Sequence, residues 1–421
     1  MNYNDSLEYI HSFLKFGSKP GLERVEKLCE LNGNPQNSLR IVHIGGTNGK
    51  GSVSTMLSEI FSLSGKKTAL FTSPYITSFC ERMRINSENI SENKLASLTT
   101  KYKSHIEYLN EKGIFPTEFE LITAMAFDYF RQEKCDIAVT EVGLGGLYDS
   151  TNIVKKPLVS VITHIAMDHT DVLGSTLEEI TLQKCGIIKQ DVPCVLYPQQ
   201  EESVFEKVKA CCDEKNSPLI IPDMTELKII STDVFGSVIE YKGRKIRIPL
   251  AGYHQILNCI TAVQTAEILG VDFEDIVRGI EKTKIPARVE VINASPLVIL
   301  DGGHNPDGAF ALAESLKDVG RYVAVVSMMR DKDEDKALSF LLKNACAAVS
   351  TKCGNPRAED ENILGEKCRK YCDRVFAEKN PEKAFEKAME LRQGDEAVVV
   401  CGSLYLAGEI REYLKNFFDK T

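Results

Sequence analysis

The sequence lacks the features of a membrane or secreted protein. A membrane helix needs about 20 consecutive apolar residues, and no apolar run in the sequence comes near that length. The first 14 residues lack the basic and then apolar pattern of a signal peptide. It also lacks an excess of basic residues, since 51 Lys and Arg stand against 60 Asp and Glu, for a net charge of −9. We therefore expect a cytoplasmic protein without nucleic-acid or membrane partners, although local cations could still bind a small anion.

Cysteine pairs at metal-binding spacing are missing too. The 13 cysteines are scattered, apart from the adjacent Cys211 and Cys212. Cys368 and Cys372 come closest to a metal-binding pair, but no second pair completes the site. The pattern predicts reduced thiols in a cytosol. The sequence also has no internal repeat and no low-complexity tract.

The sequence does contain ample material for two or three globular domains, with 421 residues, 43% hydrophobic and 26% charged. Between residues 40 and 198, short apolar runs alternate with longer amphipathic stretches. The continuous Val/Ile/Leu runs are typical of strands buried on both faces of a parallel sheet. The predicted strands are Arg40–Ile44, Lys67–Thr72, Ile137–Val142, Leu158–Ile165 and Cys194–Tyr197. We predict an α/β domain of the P-loop type.

In the second half of the sequence, the predicted pattern of secondary structure changes twice. A hairpin is predicted around Lys242-Gly243-Arg244, giving a small antiparallel patch, and a helix follows over His254–Leu269. A second, Rossmann-like α/β run starts at Leu297. The polar, proline-ended segment before it predicts a linker, and hence domains 1–292 and 297–421. A cleft between two α/β domains is the expected place for a ligand.

A glycine-rich loop joins the first predicted strand to a predicted helix. It comprises Gly46, Thr47, Asn48, Gly49, Lys50, Gly51 and Ser52. Three glycines allow backbone N–H groups to approach phosphate oxygens at a helix N-terminus, and Lys50 adds a positive charge for the β- and γ-phosphates. We predict that ATP binds here. The usual loop has Ser or Thr directly after the lysine, to bind Mg²⁺, whereas Gly51 stands there in this sequence.

These residues resemble the ATP loop of the folylpolyglutamate synthase and dihydrofolate synthase family, in the Mur ligase superfamily. The resemblance runs through further short motifs in one order along nearly the whole chain. They are Thr72-Ser73-Pro74-Tyr75, Glu81-Arg82, Thr117-Glu118-Phe119-Glu120, Glu141-Val142-Gly143-Leu144-Gly145-Gly146, Asp149-Ser150-Thr151-Asn152, Asp168-His169, Lys184-Cys185-Gly186-Ile187, His254-Gln255 with Asn258, Arg288, Asp301-Gly302-Gly303-His304-Asn305-Pro306 and Gly402-Ser403-Leu404-Tyr405.

The resemblance implies roles for individual residues. Ser73, Glu141 and His169 would bind Mg²⁺, Ser73 supplying the hydroxyl that the loop does not place after Lys50. Lys184 would be N-carboxylated by CO₂ and bridge a second Mg²⁺. The implied ATP contacts are Asn258, Arg288, Asp301 and His304, with Arg288 also stabilising charge during phosphoryl transfer. The implied contacts to pterin or pteroate are Thr117, Glu118, Phe119, Glu120, Tyr148, Asp149 and Ser150. Lys50, His169, Lys184 and Arg288 would carry catalysis.

The resemblance also implies the reaction and leaves alternatives. A substrate carboxylate would attack the γ-phosphate of ATP, and L-glutamate would attack the resulting acyl phosphate. Many family members have Arg-Leu-Asp where this chain has Leu147-Tyr148-Asp149, so the choice between a folate, dihydropteroate or both as acceptor stays open. A Mur-type cell-wall ligase and a non-catalytic P-loop protein are the other readings. The resemblance further implies a monomer.

Overall fold

The structure is a computed structural model that describes residues 1–17, 20–330 and 333–419. The chain divides into two compact units. The first comprises Met1–Glu226 and Leu257–Thr283, and the second comprises Leu227–Ile256 and Lys284–Thr421. Each unit is therefore made of two separate stretches of sequence, and one division falls inside a helix.

The first unit is built on an eight-stranded sheet. Its strands are β1 (Ile41–Gly45), β2 (Thr68–Phe71), β3 (Met83–Ile85), β4 (Glu88–Asn89), β5 (Ile137–Glu141), β6 (Val159–Ile162), β7 (Cys194–Leu196) and β8 (Leu219–Ile220). The order across the sheet is β4-β3-β2-β5-β1-β6-β7-β8, and every pairing from β2 to β8 is parallel. The carboxyl ends of these strands therefore meet at one edge, where ligands of open α/β sheets bind.

Helices cover the sheet of the first unit. They are α1 (Tyr3–His11), α2 (Glu23–Glu30), α3 (Lys50–Leu63), α4 (Glu92–Glu111), α5 (Glu118–Gln132), α6 (Thr170–Leu173), α7 (Leu177–Cys185), α8 (Glu202–Glu214), α9 (Tyr253–Ile268) and α10 (Phe273–Lys282). Helix α3 is buried on most sides, because Val53, Met56, Leu57, Ile60 and Phe61 have no exposed surface. Such a helix is fixed firmly, and so is the loop that leads into it.

The second unit contains two sheets. Strands β9 (Leu227–Asp233), β10 (Gly236–Tyr241) and β11 (Arg244–Ile248) form a three-stranded antiparallel sheet. The larger sheet has the order β12-β13-β17-β14-β15-β16 and is parallel except at its β12 edge. Its strands are β12 (Glu290–Ala294), β13 (Leu297–Leu300), β14 (Tyr322–Val326), β15 (Ala345–Ser350), β16 (Val375–Ala377) and β17 (Ala397–Cys401).

The helices of the second unit are α11 (Pro306–Ser315), α12 (Glu334–Leu341), α13 (Glu361–Cys368), α14 (Pro381–Leu391) and α15 (Leu404–Asp419). The predicted α/β class, the mainly parallel first sheet and the second α/β region are confirmed. The small antiparallel patch is also present, but it belongs to the second unit, whereas we predicted it within residues 1–292. The predicted linker is wrong. Residues 292–296 belong to β12 and to the tight turn between β12 and β13, which pair antiparallel. The polar, proline-ended composition that predicts a linker also suits a hairpin turn.

Candidate functional site

The glycine-rich loop lies between β1 and α3, as predicted, and two of its glycines are required by their surroundings. Gly46 (φ 146°) and Gly49 (φ 90°) have backbone conformations that side chains rarely adopt. A Cβ atom on Gly46 would lie 1.9 Å from Thr163 Oγ1, and one on Gly49 would lie 2.4 Å from Asn258 Oδ1. The end of β6 and the side chain of Asn258 on α9 therefore both pack directly against the loop.

The first part of this loop has a different hydrogen-bond pattern from the expected one. The backbone N–H groups of Thr47 and Asn48 both donate to the carbonyl of His164, at 2.8 and 3.1 Å. The Thr47 hydroxyl donates to the carbonyl of Ala166 at 3.0 Å. These amides hold the loop against the chain that follows β6. An anion at this loop would thus meet the N-terminal end of α3, where the helix dipole favours negative charge, rather than the amides of Thr47 and Asn48.

Two lysines converge on one carbonyl of this loop. Lys50 Nζ donates to the carbonyl oxygens of Gly46 and Thr47, at 3.1 and 3.0 Å. Lys184 Nζ donates to the same Gly46 oxygen at 2.7 Å. Lys184 is only 3% exposed, and burial, with a smaller contribution from Lys50, lowers the pKa of its amine to about 7. Sequence reasoning alone would place such a lysine on the surface.

Glu141 and Ser73 come together at the carboxyl edge of the sheet. Glu141 is the last residue of β5 and is 4% exposed. Its Oε2 accepts a hydrogen bond from the backbone N–H of Ser73, just beyond β2, at 3.3 Å. A Cβ atom on Gly51 would lie 3.8 Å from the same Oε2. The carboxylate therefore borders the first turn of α3.

His169 occupies the N-terminal end of α6 in a left-handed conformation, with φ 50°. Its side chain is 45% exposed, and Nε2 lies 4.0 Å from Asp168 Oδ1. Asp168 is the more buried of the two and is one of the two carboxylates that act on the Lys184 amine. Sequence reasoning chose His169 from this pair and missed Asp168, although a carboxylate beside the histidine was a readable signal.

The predicted substrate segment at the start of α5 is partly used for helix capping. Thr117 and Glu120 form a capping box, in which the Thr117 N–H donates to Glu120 Oε2 at 2.7 Å. Glu120 is 2% exposed and forms an ion pair with Arg24, at 2.8 Å. Glu118 Oε2 lies 3.2 Å from His11 Nδ1. These contacts give Glu120 a structural role that sequence reasoning missed.

Phe119 is the member of this segment that reaches the glycine turn after β5. A Cβ atom on Gly143 would lie 2.5 Å from the Phe119 ring, so a larger residue would collide with it. The ring also packs near Phe71, with 5.8 Å between centroids. Tyr148, farther along the turn, is 53% exposed, whereas Ser150 is buried. Phe119 and Tyr148 are therefore the two predicted substrate residues that present aromatic rings near this turn.

Asp149 organises the same turn from within. It is buried and accepts hydrogen bonds from the Leu144 N–H at 2.9 Å and from the Thr151 N–H at 3.0 Å. The Thr151 hydroxyl donates to its Oδ1 at 2.5 Å, so the hydroxyl must in turn accept from His43 Nε2, at 2.8 Å. Burial raises the pKa of Asp149 and lowers that of His43 to about 3, which keeps the imidazole neutral. Sequence reasoning missed His43, which is hidden inside β1.

In the second unit, Asp301 follows β13 and holds the segment that carries Arg288. Asp301 Oδ2 accepts from the Val289 N–H at 2.8 Å and Oδ1 from the Gly303 N–H at 2.7 Å. Burial raises its pKa, while the nearby Arg288 guanidinium opposes that shift. His304 Nδ1 lies 3.1 Å from the carbonyl of Gly302. Arg288, just before β12, and Asp301 and His304, just after β13, thus lie at the same edge of the larger sheet, because β12 and β13 pair antiparallel.

Comparison with known proteins decides the family. The Mur ligase middle domain matches residues 44–266, and the Mur ligase glutamate ligase domain matches residues 287–404. The dihydrofolate synthase/folylpolyglutamate synthase of Bacillus subtilis is 34% identical over 98% of this chain and 99% of its own length. The chain belongs to the folylpolyglutamate synthase and dihydrofolate synthase family of Mur ligases. The resemblance stated from the short motifs is thereby confirmed.

Solved structures of Mur ligase family members agree in fold. Folylpolyglutamate synthase of Mycobacterium tuberculosis, complexed with ADP and AMPPCP, superposes with a TM-score of 0.89 at 30% identity, covering 98% of this chain and 99% of that one. The Escherichia coli protein FolC, in complex with DHPP and ADP, superposes with a TM-score of 0.87 at 27% identity, covering 99% of each chain. In the part of our chain that the structure describes, no helix is long and apolar enough to cross a bilayer.

Proposed function

We propose that this Mur ligase family member is an ATP-dependent ligase that joins L-glutamate to the carboxylate of a folate, through an acyl phosphate. The observation that carries the proposal is the convergence of Lys50 and Lys184 on the Gly46 carbonyl, beside a loop built like a phosphate site. Full-length relatives that are named for folate synthesis favour this acceptor over a cell-wall substrate. The aromatic rings of Phe119 and Tyr148 suit a flat pterin ring.

The proposed reaction has two steps. The folate carboxylate attacks the γ-phosphate of ATP, the bond to the β-phosphate oxygen breaks, and ADP leaves. The amine of L-glutamate then attacks the acyl carbon, phosphate leaves, and the amine loses a proton. Anionic carboxylate and phosphate repel each other, and Lys50 and Arg288 would offset that repulsion. In this proposal Asn258, Asp301 and His304 bind the nucleotide.

The donor set also fits magnesium. Glu141, Ser73 and His169 would hold one ion, since Mg²⁺ binds protein oxygen ligands together with phosphates and water. Among the residues that the structure describes, no three His, Cys, Asp or Glu side chains gather as a ready metal site, so ATP and water would have to supply the other ligands of the ion. When bound, the metal would neutralise phosphate charge. Lys184 fits a second ion only after its amine has become an anion.

We propose that Lys184 is carboxylated by CO₂. Only a neutral amine adds to CO₂, and a pKa of about 7 leaves much of the Lys184 amine neutral near that pH. The product would be an anion next to the Lys50 cation, which would attract it. We expect ¹³C NMR of the wild type in ¹³C-bicarbonate to show a carbamate signal. Lys184→Arg, which keeps the charge but cannot form the adduct in this way, should lack it; the same signal in this variant would contradict the proposal.

The decisive assay for the ligase measures ADP release in the presence of L-glutamate, with tetrahydrofolate, with dihydropteroate or with neither. We expect turnover that depends on at least one acceptor. Lys50→Ala should lose roughly 100-fold or more of it, because Lys50 would act on charge that develops in the transition state. Lys209→Ala, on the exposed face of α8, is the matched control. Turnover without an acceptor, or a Lys50→Ala variant with normal turnover, would refute the proposal.

The assays with tetrahydrofolate and with dihydropteroate also distinguish folylpolyglutamate synthase, dihydrofolate synthase and bifunctional activity. Turnover with dihydropteroate alone would assign the chain as a dihydrofolate synthase only. The expected monomer, cytoplasmic location and absence of nucleic-acid partners remain predictions. Light scattering of the purified chain and a nucleic-acid gel-shift assay check the first and the last of these.

A further inference from the structure

Four cysteines share one hydrophobic cluster in the first unit. Cys185 is the last residue of α7, Cys194 begins β7, and Cys211 and Cys212 are neighbours on α8. Cys185, Cys194 and Cys212 are buried in this cluster, and Cys211 packs at its edge. All four are free thiols. The fold thus brings together residues that are up to 27 positions apart in the sequence.

The four thiols are arranged as two pairs that differ in access. The thiols of Cys185 and Cys211 are close enough to shift each other's pKa, and so are those of Cys194 and Cys212. Cys194 and Cys212 have no exposed surface, so a reagent in solution does not reach that pair. Cys211 is partly exposed, whereas Cys185 beneath it is 2% exposed. The neighbouring Cys185 side chain lowers the pKa of the Cys211 thiol to about 7, which increases its thiolate fraction.

The buried member of the accessible pair adjoins the candidate site. Cys185 directly follows Lys184, whose amine donates to the Gly46 carbonyl. The end of α7 also touches the glycine turn: the Leu147 N–H donates to the Gln183 carbonyl at 2.7 Å, and a Cβ atom on Gly186 would lie 2.3 Å from Leu147 Cα. Such close backbone packing leaves little room for a shift at Cys185 without a shift at Lys184 or Leu147.

We propose that Cys185 and Cys211 form a peroxide-sensitive thiol pair, which closes to a disulfide between α7 and α8 and thereby slows the enzyme. Four clustered thiols could also indicate a metal site, but within residues 1–17, 20–330 and 333–419 no three ligand side chains are arranged to hold an ion. The redox chemistry of the pair does not depend on the proposed ligase function, whereas the effect on turnover rests on it.

The chemistry balances with a hydroperoxide as the oxidant. The Cys211 thiolate attacks one peroxide oxygen, the O–O bond breaks, and the released hydroxide takes a proton to become water, leaving a sulfenic acid. The Cys185 sulfur then attacks the sulfenic sulfur, the S–O bond breaks, and a second water leaves with the Cys185 proton. Two electrons pass from the two sulfurs to one peroxide. A thiol reductant reverses the change by thiol–disulfide exchange.

The test treats the reduced, full-length chain with hydrogen peroxide, blocks the remaining thiols by alkylation and maps the disulfides by peptide mass spectrometry. We expect one link, Cys185 to Cys211, while Cys194 and Cys212 stay alkylatable after unfolding. ADP release should fall by roughly 10-fold, since small misplacements at an active site are costly, and return with dithiothreitol. Cys211→Ser should form no link and should keep its turnover in peroxide.

Cys135→Ser is the matched control, because Cys135 is also partly exposed but lies outside this cluster. It should behave as the wild type does. A disulfide that involves Cys194 or Cys212 would contradict the proposed Cys185–Cys211 pair. A sulfinic acid at Cys211 together with an unmodified Cys185 thiol would also contradict it. A correct link with unchanged turnover would overturn its effect on the enzyme. Mapping requires no substrate, so a failed folate assay would leave the result on the pair intact.

Discussion

At the scale of single residues, the least predictable feature is the burial of Lys184. The sequence marks Lys50 through its glycine-rich loop, because loop, lysine and following helix form one local pattern. Nothing local marks Lys184, whose amine α7 brings within 2.7 Å of the Gly46 carbonyl. Glu120 and Asp149 show the reverse. Both were predicted as ligand contacts, and the partners that the structure gives them are groups of the protein itself.

The buried amine predicts a pH-dependent stability. Burial lowers the pKa of Lys184 to about 7, whereas an unfolded lysine titrates near about 10.4. Between these values the unfolded chain binds one proton more, so the contribution of Lys184 to the free energy of unfolding rises with pH. We expect Lys184→Met to flatten that rise by roughly 3–5 kcal/mol between pH 7 and about 10.

Urea unfolding at several pH values in carbonate-free buffer measures this effect. Lys209→Met, on an exposed part of α8, should follow the wild-type curve. If the difference between wild type and Lys184→Met were independent of pH, the Lys184 amine would titrate equally in the folded and unfolded chain, and its burial would have no electrostatic cost.

At the scale of elements, helix and strand types followed from hydrophobic pattern, while the roles of helix ends did not. The runs that predict β1, β2, β5, β6 and β7 lie within a residue or a few of the observed strands. Strand β12 was missed because its residues are only half-buried and carry polar side chains. The segment Thr117–Glu120 at the N-terminus of α5 matches a family motif for substrate contacts. Its Thr and Glu, three residues apart, also match the pattern of a helix capping box. The sequence alone cannot distinguish substrate binding from helix capping.

The capping box gives a prediction at this scale. Glu120→Gln should destabilise the chain by about 2–4 kcal/mol, because it weakens a helix cap and leaves the Arg24 guanidinium without its buried carboxylate. At a temperature where the variant is folded, we expect KM for the folate acceptor to change little. Glu107→Gln, on the exposed face of α4, is the control for the loss of one charge. A large rise in KM at unchanged stability would instead make Glu120 a substrate ligand.

At the scale of the whole molecule, the α/β class and the second α/β region were predictable, but the compact units were not. Sequence order suggested one division near residue 292. By contacts, Leu227–Ile256 belongs with Lys284–Thr421, since Val234 and Ala251 pack in the same core cluster as Ile299 and Val399. Hydrophobic periodicity indicates which residues are buried, but it does not indicate which other elements they pack against.

Native-state hydrogen exchange tests these units. In rising denaturant, amides of β10 and β11 should lose protection together with those of β14 and β17, because the elements of one compact unit are expected to open cooperatively. Amides of β1 and β5 serve as the comparison from the first unit. If β10 and β11 instead opened with β1 and β5, or alone at low denaturant, the division by contacts would not describe the cooperative units.

The discontinuous units also have a consequence for synthesis on the ribosome. The β9–β11 segment leaves the ribosome before the second unit's core strands exist, and β17, the central partner of β13 and β14, ends only at Cys401. At roughly 5–20 residues per second, that segment waits on the order of ten seconds for its core. Meanwhile Leu257–Thr283 can already complete the first unit. The growing chain thus carries a completed first unit joined to a small sheet whose core partners are not yet synthesised, which is the stage at which a chaperone would have most to protect.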